Sequence, residues 1–220
     1  MALHIDVVSD VVCPWCYIGK RKLARAIELY RESAPEAEPP QVRWHPFQLN
    51  PDMPEGGVER GEYLQRKFGG RSTQIYARVS AAGAAVGIAF AFDKVTRQPN
   101  TLAAHSLIAL AAGAGLQDKV MEAFFNAYFI DGRDLTSSRT LTEIACGAGL
   151  ASAEVEACLA SPQAREQVQA EDEEARRIGV DGVPFFIVNR RHAISGAQEP
   201  QVLLEAMLKS ESESPVASDG

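Results

Sequence analysis

The sequence predicts an α/β protein in which one sheet domain is split by an all-helical insertion. Three observations carry this. Short segments rich in β-branched residues occur only near the two ends of the 220-residue chain. The stretch between them repeats its apolar residues at helical spacing, with glycines as punctuation. The composition, 46% hydrophobic and 23% charged, is that of an ordinary globular protein.

The elements follow in order. Leu3 to Ser9 is short, β-branched and partly alternating, so it reads as a strand. A helix follows from Cys13-Pro14-Trp15-Cys16 to about Tyr30. Its apolar residues Ile18, Leu23, Ala26, Ile27 and Tyr30 keep a 3.6 period, and Pro14 suits a first turn, where a missing N–H costs nothing. Pro35, Pro39 and Pro40 break the chain. Val42 to Leu49 reads as a second strand, and Pro46 within it argues for a sheet edge or a strand end. Past Asn50, helices are predicted near 58–68, 72–86, 101–113, 118–129, 139–148 and 152–159. A charged helix over 161–178 ends at Gly179. Phe185 to Val188 is a strand, Asn189-Arg190 a turn, His192 to Ile194 a short strand, and a last helix runs to about Lys209. Residues 210–220 have little apolar content and are predicted to be disordered. The expected division is a discontinuous sheet domain, 1–49 with 169–209, a helical insertion over 50–168, and a tail over 210–220.

Charge and cysteine content narrow the function. Lys plus Arg number 22 against 29 Asp plus Glu, a net charge of −7 that argues against general nucleic-acid or anionic-membrane binding. No apolar run reaches the roughly 18 residues of a membrane span. Met1-Ala2-Leu3-His4-Ile5-Asp6 has no basic segment and meets an acid at once, so no secretory signal is expected and a cytoplasmic location is predicted. Four cysteines do not make a disulfide-stapled scaffold, and a close pair in a cytosolic protein points to catalysis or metal binding.

The close pair is Cys13 and Cys16, in a Cys-x-x-Cys that follows a strand and opens a helix. The spacing puts both thiols on one turn. The helix N-terminus offers partial positive charge and free N–H groups, which stabilise a thiolate on Cys13. Such positions lower a free thiol's pKa of ~8.5 to about 3.5–7.5. Cys16, one turn further in, is placed to resolve a mixed disulfide. A zinc site would need two more ligands. Cys146 and Cys158 lie 12 apart on helix-like segments and no second Cys-x-x-Cys exists, so no metal is expected.

Cys13-Pro14-Trp15-Cys16 after one strand, with Gly182-Val183-Pro184-Phe185-Phe186 before another, resembles the thioredoxin fold, a mixed central sheet flanked by helices. The long helical insertion resembles the DsbA family of thiol–disulfide oxidoreductases. Ser9 to Cys16, Pro99-Asn100-Thr101-Leu102-Ala103-Ala104-His105 and Ile194-Ser195-Gly196-Ala197-Gln198 resemble its cytoplasmic FrnE-like branch, over roughly residues 3–208. The resemblance implies Cys13 and Cys16 as the catalytic pair, supported by Pro14, Trp15, Val183 and Pro184. It also implies a cis Val183–Pro184 bond packed beside Cys13. An exposed Val183 backbone there would let a bound polypeptide pair like an added strand.

Two departures stand out. The buried acid that many thioredoxin-fold enzymes carry six residues before the first cysteine is Val7 here. Asp10 is therefore a candidate for proton handling, although an Asp in such a loop more often binds backbone N–H groups. The Pro-Trp dipeptide has no histidine to stabilise a thiolate. Asn100 and His105 are candidate substrate contacts. Against that stand an N-cap role for Asn100 and a core position for His105, which shares a helix face with Thr101. Cys146 and Cys158 read as buried free thiols. Lys20, Arg21, Lys22 and Arg25 read as solvated charges, and Gly83-x-x-x-Gly87 as close packing on a helix. Phe90, Phe92, Leu102, Phe124, Phe125 and Tyr128 are material for a pocket wall or for the core of the insertion.

The leading function is thiol–disulfide exchange on protein or small-molecule substrates, with no metal or organic cofactor and with glutathione as a candidate co-substrate. One alternative is a glutathione-using isomerase or transferase of the kappa-class or hydroxychromene-carboxylate isomerase type, whose members typically carry Ser in place of the first cysteine. Another is a non-enzymatic peptide-binding chaperone.

Overall fold

The computed structural model describes residues 3–213. It opens with β1 (His4–Ser9), α1 (Pro14–Ser33) and β2 (Gln41–Pro46), and closes with β5 (Phe185–Val188), β6 (His192–Ser195) and α9 (Pro200–Ser212). These strands form one sheet in the order β2-β1-β5-β6. β1 runs parallel to β2, with Val7 opposite Trp44, and antiparallel to β5, with Val7 opposite Phe186. β5 and β6 are antiparallel neighbours. They join at Asn189 and Arg190, both with positive φ, 48° and 58°, as a tight hairpin turn requires.

Between the halves lie β3 (Val58–Glu59), α2 (Arg60–Phe68), α3 (Ser72–Ala84), β4 (Arg97–Gln98), α4 (Leu102–Gly113), α5 (Gln117–Phe129), α6 (Ser138–Gly147), α7 (Ser152–Ala160) and α8 (Pro162–Arg177). The α/β class and the helical block agree with the sequence, and α8 runs unbroken across residues 168 and 169. One large core cluster joins both parts, with a smaller one of Val8, Phe47, Ala175 and Val180 beside it. The large cluster contains Ile5, Val7, Tyr17 and Phe186 together with Leu107, Phe125 and Phe129. Tyr17 of α1 stacks on Phe125 of α5 with ring centroids 4.9 Å apart.

Several local expectations are corrected. The second strand stops at Pro46, and the chain then turns to bond Phe47 N to Ser9 O at 3.0 Å. Proline closes the run because it has no N–H to continue the ladder. The ribbon of β3 and β4 is too short for any periodic signal. α3 ends at Ala84, so only Gly83 is a packing glycine, its Cβ position lying against Phe90. Gly87 instead takes φ +78° in the turn after the helix. The last helix continues through Ser210 to Ser212, against the disorder expected there, and Ser210 is buried. The remainder of that expected tail, 214–220, lies outside the described residues.

Of the four α1 cations expected to be solvated, Lys20, Arg21 and Lys22 are instead paired and at least partly buried. Lys20 is only 8% exposed and pairs with Asp118 at 2.8 Å and Glu122 at 3.4 Å. Arg21 meets Glu122 at 2.5 Å, and Lys22 meets Glu199 of the residue before α9 at 2.5 Å. They fasten α1 to α5 on one flank and towards α9 on the other. Arg25, half-exposed, pairs with Glu28 on its own helix. Periodicity identifies an outer face but not what covers it.

Candidate active site at the start of the first helix

β1 ends at Ser9 and hands the chain to a tight loop. Asp10 O accepts from Cys13 N at 3.0 Å, and Cys13 then caps α1 with extended backbone, φ −94° and ψ 110°. Pro14 occupies the first turn, which holds no acidic residue. Cys13 is 4% exposed, Cys16 is fully buried, and Trp15 between them is 41% exposed. Both thiols are thus buried, Cys13 at the helix start and Cys16 one turn behind it.

The Val183–Pro184 peptide bond is cis. The Cys13 thiol donates to Val183 O at 3.5 Å, so the start of α1 meets the start of β5. This approach needs Gly19, which sequence reasoning passed over. A Cβ there would lie 2.9 Å from Pro184 Cγ. The available signal was a glycine in the interior of an otherwise regular helix.

Burial pushes the Cys16 thiol well above its ordinary pKa, and the neighbouring Cys13 adds to this. The Ser9 side chain and the Asp10 backbone act in the opposite direction. The Ser9 hydroxyl is buried and reaches full hydrogen-bond geometry with no partner among the described residues.

Asp10 is completely buried. Its carboxylate accepts from Leu49 N at 2.8 Å and Val12 N at 3.4 Å, and pairs with His105 Nε2 at 3.3 Å. The backbone role weighed for it is present, and so is a titratable partner. His105 is a core residue on α4, joined through Asp10 to the Cys13 loop. Asn100 holds the start of α4: Oδ1 accepts from Leu102 N at 2.9 Å and Nδ2 donates to Met53 O at 2.7 Å. Its polar atoms are engaged by the protein itself.

Cys146 and Cys158 are half-buried and free. Phe124, Phe125 and Tyr128 are buried in the core, and Phe90 and Phe92 stack beside them at 4.8 Å. Among the described residues no group of three or more His, Cys, Asp or Glu is placed to hold a metal ion. No helix of the described residues is long and apolar enough to cross a membrane. Cavities of about 800 and 750 Å³ open beside Asp6, Arg43 and Arg190. Neither is lined by Cys13 or Cys16, so the chemistry of the residues, not cavity size, locates the site.

The family model of the DSBA-like thioredoxin domain matches residues 4–208. The chain belongs to this family. As a DSBA-like protein it superposes on the probable DsbA oxidoreductase SCO1869 from Streptomyces coelicolor with a TM-score of 0.85 and 31% identity, covering 97% of this chain and 92% of that one. The fold is shared with a 2-hydroxychromene-2-carboxylate isomerase, TM-score 0.71 at 15% identity over 96% and 100% of the two chains. It is shared also with the cytosolic disulfide reductase DsbM from Pseudomonas aeruginosa with GSH, TM-score 0.61 at 20% identity over 94% and 99%.

Proposed function

We propose that this DSBA-like chain is a cytoplasmic thiol–disulfide oxidoreductase of the FrnE-like branch, working through Cys13 and Cys16. The observation that carries the reading is a thiol at a helix N-terminus, beside Val183 O, with a fully buried thiol one turn behind it. In the reductive direction the Cys13 thiolate attacks a substrate disulfide. A Cys13–substrate bond forms, the substrate S–S bond breaks, and the electron pair leaves on the departing sulfur. Cys16 then gives up its proton and attacks Cys13, releasing the second substrate thiolate and leaving a Cys13–Cys16 disulfide. The oxidative direction is the reverse.

The raised pKa of Cys16 keeps it protonated, and so a poor nucleophile, until the mixed disulfide exists. Asp10, with His105 behind it, supplies the proton acceptor in this reading. Val183 offers its backbone to an extended substrate beside the reacting sulfur. Trp15 adds exposed apolar surface for it. Glutathione is proposed as a co-substrate, a reading supported by the GSH in the DsbM structure. The isomerase-type neighbour shares the fold, but the presence of Cys13 with Cys16 favours redox chemistry over isomerisation.

The test is titration of the Cys13/Cys16 pair against glutathione redox buffers, with a Cys13→Ser, Cys16→Ser double variant alongside. A single two-electron transition that the double variant lacks is the expected result. An activity on protein substrates that survives in the double variant would replace this reading with that of a peptide-binding chaperone.

A further inference from the structure

Asp10 is fully buried, and its carboxylate has three hydrogen-bond partners among the described residues. Val12 N and Leu49 N donate to it and cannot take a proton from it. The third partner, His105 Nε2 at 3.3 Å, is the one that titrates. A proton held on Asp10 therefore has a single side chain to pass to. His105 is itself only 2% exposed, and its Nδ1 has no hydrogen-bond partner among the described residues. A buried ring nitrogen left in that state is costly unless water or another polar group meets it.

His105 lines the cavity of about 750 Å³. With Ile108, Ala109 and Ala112 it forms one stripe of α4 along that cavity, at i, i+3, i+4 and i+7. Asp6 and Val8 line the same cavity from β1. They alternate with Ile5 and Val7, which share a core with Cys13 and Cys16. The cavity therefore lies on the face of the sheet opposite the two thiols. Besides Asp6, its charged and titratable groups are Arg43 and His45 of β2, Glu171 and Glu174 of α8, and Arg190 of the β5–β6 turn. His45 Nε2 bonds Asp6 at 2.8 Å, and its Nδ1 lies 3.9 Å from Glu171. A space this large with walls this polar holds water.

We propose that His105 is a proton relay, in which Nε2 takes the proton from Asp10 and Nδ1 releases one to water in this cavity. The inference rests on the oxidoreductase reading above, in which Asp10 accepts the proton that Cys16 gives up. At that point Asp10 is protonated and His105 carries its own proton on Nδ1. Transfer to Nε2 leaves a carboxylate and an imidazolium. Loss of the Nδ1 proton to the cavity then leaves neutral His105, with Nε2–H donating to Asp10. One proton leaves through the back of the sheet, and no electron passes through His105. The oxidative direction takes one proton in by the same route. The front of the site can thus stay covered by substrate while Cys16 attacks. His105 acts through Asp10 and not on the sulfurs.

The test is single-turnover reduction of a disulfide-bonded peptide by the dithiol form of the protein, in wild type, His105→Gln and His105→Ala. Acid quenching and mass spectrometry separate the first attack, which forms the Cys13–peptide disulfide, from its resolution by Cys16. Glutamine keeps an N–H donor for Asp10 but cannot relay a proton, so it decides the matter even if His105→Ala fails to fold. The expected result near neutral pH is a roughly tenfold or greater slowing of resolution, with the mixed disulfide accumulating and the first attack keeping its rate. Added imidazole should restore resolution in His105→Ala and leave wild type unchanged. Resolution in His105→Gln within about twofold of wild type overturns the inference. Equal slowing of both steps, or a slow His105→Ala that imidazole does not restore, marks a merely structural role and overturns it too. A wild-type dithiol that forms no mixed disulfide overturns the oxidoreductase reading instead.

Discussion

Replacing Gly19 by alanine probes the contact between α1 and the start of β5. A Cβ at this position would lie 2.9 Å from Pro184 Cγ, 3.2 Å from Phe186 Cζ and 3.4 Å from Pro184 Cβ. Carbon atoms in contact prefer about 3.5–4.0 Å, so α1 and Pro184 must separate by roughly half an ångström or more. Neither neighbour yields easily. Pro184 is a ring tied to the backbone, and Phe186 is fully buried. Against the clash stands the gain of about 1 kcal/mol when alanine replaces glycine inside a helix. Overpacking a filled site costs about 1–3 kcal/mol, so the expected net effect is a destabilisation of about 0–2 kcal/mol. The displacement also falls on the Cys13 Sγ–Val183 O contact of 3.5 Å, so disulfide exchange should slow as well. Urea unfolding and an insulin-reduction assay measure the two effects. Gly147→Ala is the control: Gly147 closes α6, and nothing lies within 4 Å of its Cβ position. It should gain up to about 1 kcal/mol with exchange unchanged. A Gly19→Ala protein that gains stability as the control does, with undiminished exchange, would refute the packing argument.

Four further outcomes are expected. Burial raises the Glu122 carboxyl, but hydrogen bonds from Arg21 and Tyr17 and the charges of Lys20 and Arg21 outweigh it and hold the pKa below the ordinary carboxylate range. Stability linked to it is therefore present above the unfolded pKa of about 4.3 and lost as pH falls through the folded value. Glu122→Gln should be less stable than wild type near neutral pH, with the gap closing below about pH 4, as urea midpoints across pH would show. In a Cys13→Ser variant, Cys16 should resist iodoacetamide near pH 7, because burial holds its thiol protonated. In wild type Cys13 should label ahead of Cys16, Cys146 and Cys158, and mass mapping that finds Cys146 first would contradict this. Replacing residues 50–168 by a linker strips Tyr17 of Phe125, and Trp44 of Gln117 and Asp118. The product should bind a hydrophobic dye and lack near-ultraviolet dichroism, and a cooperative two-state transition in it would count against a shared core.

Much of the fold was legible because its signals are local. The strands at each end, the proline at the first turn of α1 and the Asn189-Arg190 turn depend on residues within a few positions of one another. The helices between are long enough for a period to show. What escaped depends on partners far along the chain. Val58–Glu59 pairs with Arg97–Gln98 over two residues only. Lys20 looks like a surface lysine until Asp118 and Glu122 are placed over it. At the site, Cys13 and Cys16 were legible from spacing, whereas the packing role of Gly19 was not. A glycine inside a regular helix is a local signal, but Pro184, the residue it makes room for, lies far along the chain and only the fold brings it close.

The placement of α1 connects these observations. Thiol exchange is sensitive to misplacement of about 1 Å, so the helix that carries Cys13 needs its rotation and its axial position fixed. Lys20, Arg21 and Tyr17 tie one flank to α5 through Asp118, Glu122 and Asn126. Lys22 ties another to Glu199 and Ala197 O before α9. Gly19 sets the distance to Pro184, and Asp10 sets the loop that enters the helix. Asp118, Glu122 and Asn126 belong to the helical block, as does His105 behind Asp10. The block therefore holds the nucleophile in place before it touches any substrate. Losing it would remove the supports that fix Cys13 in place.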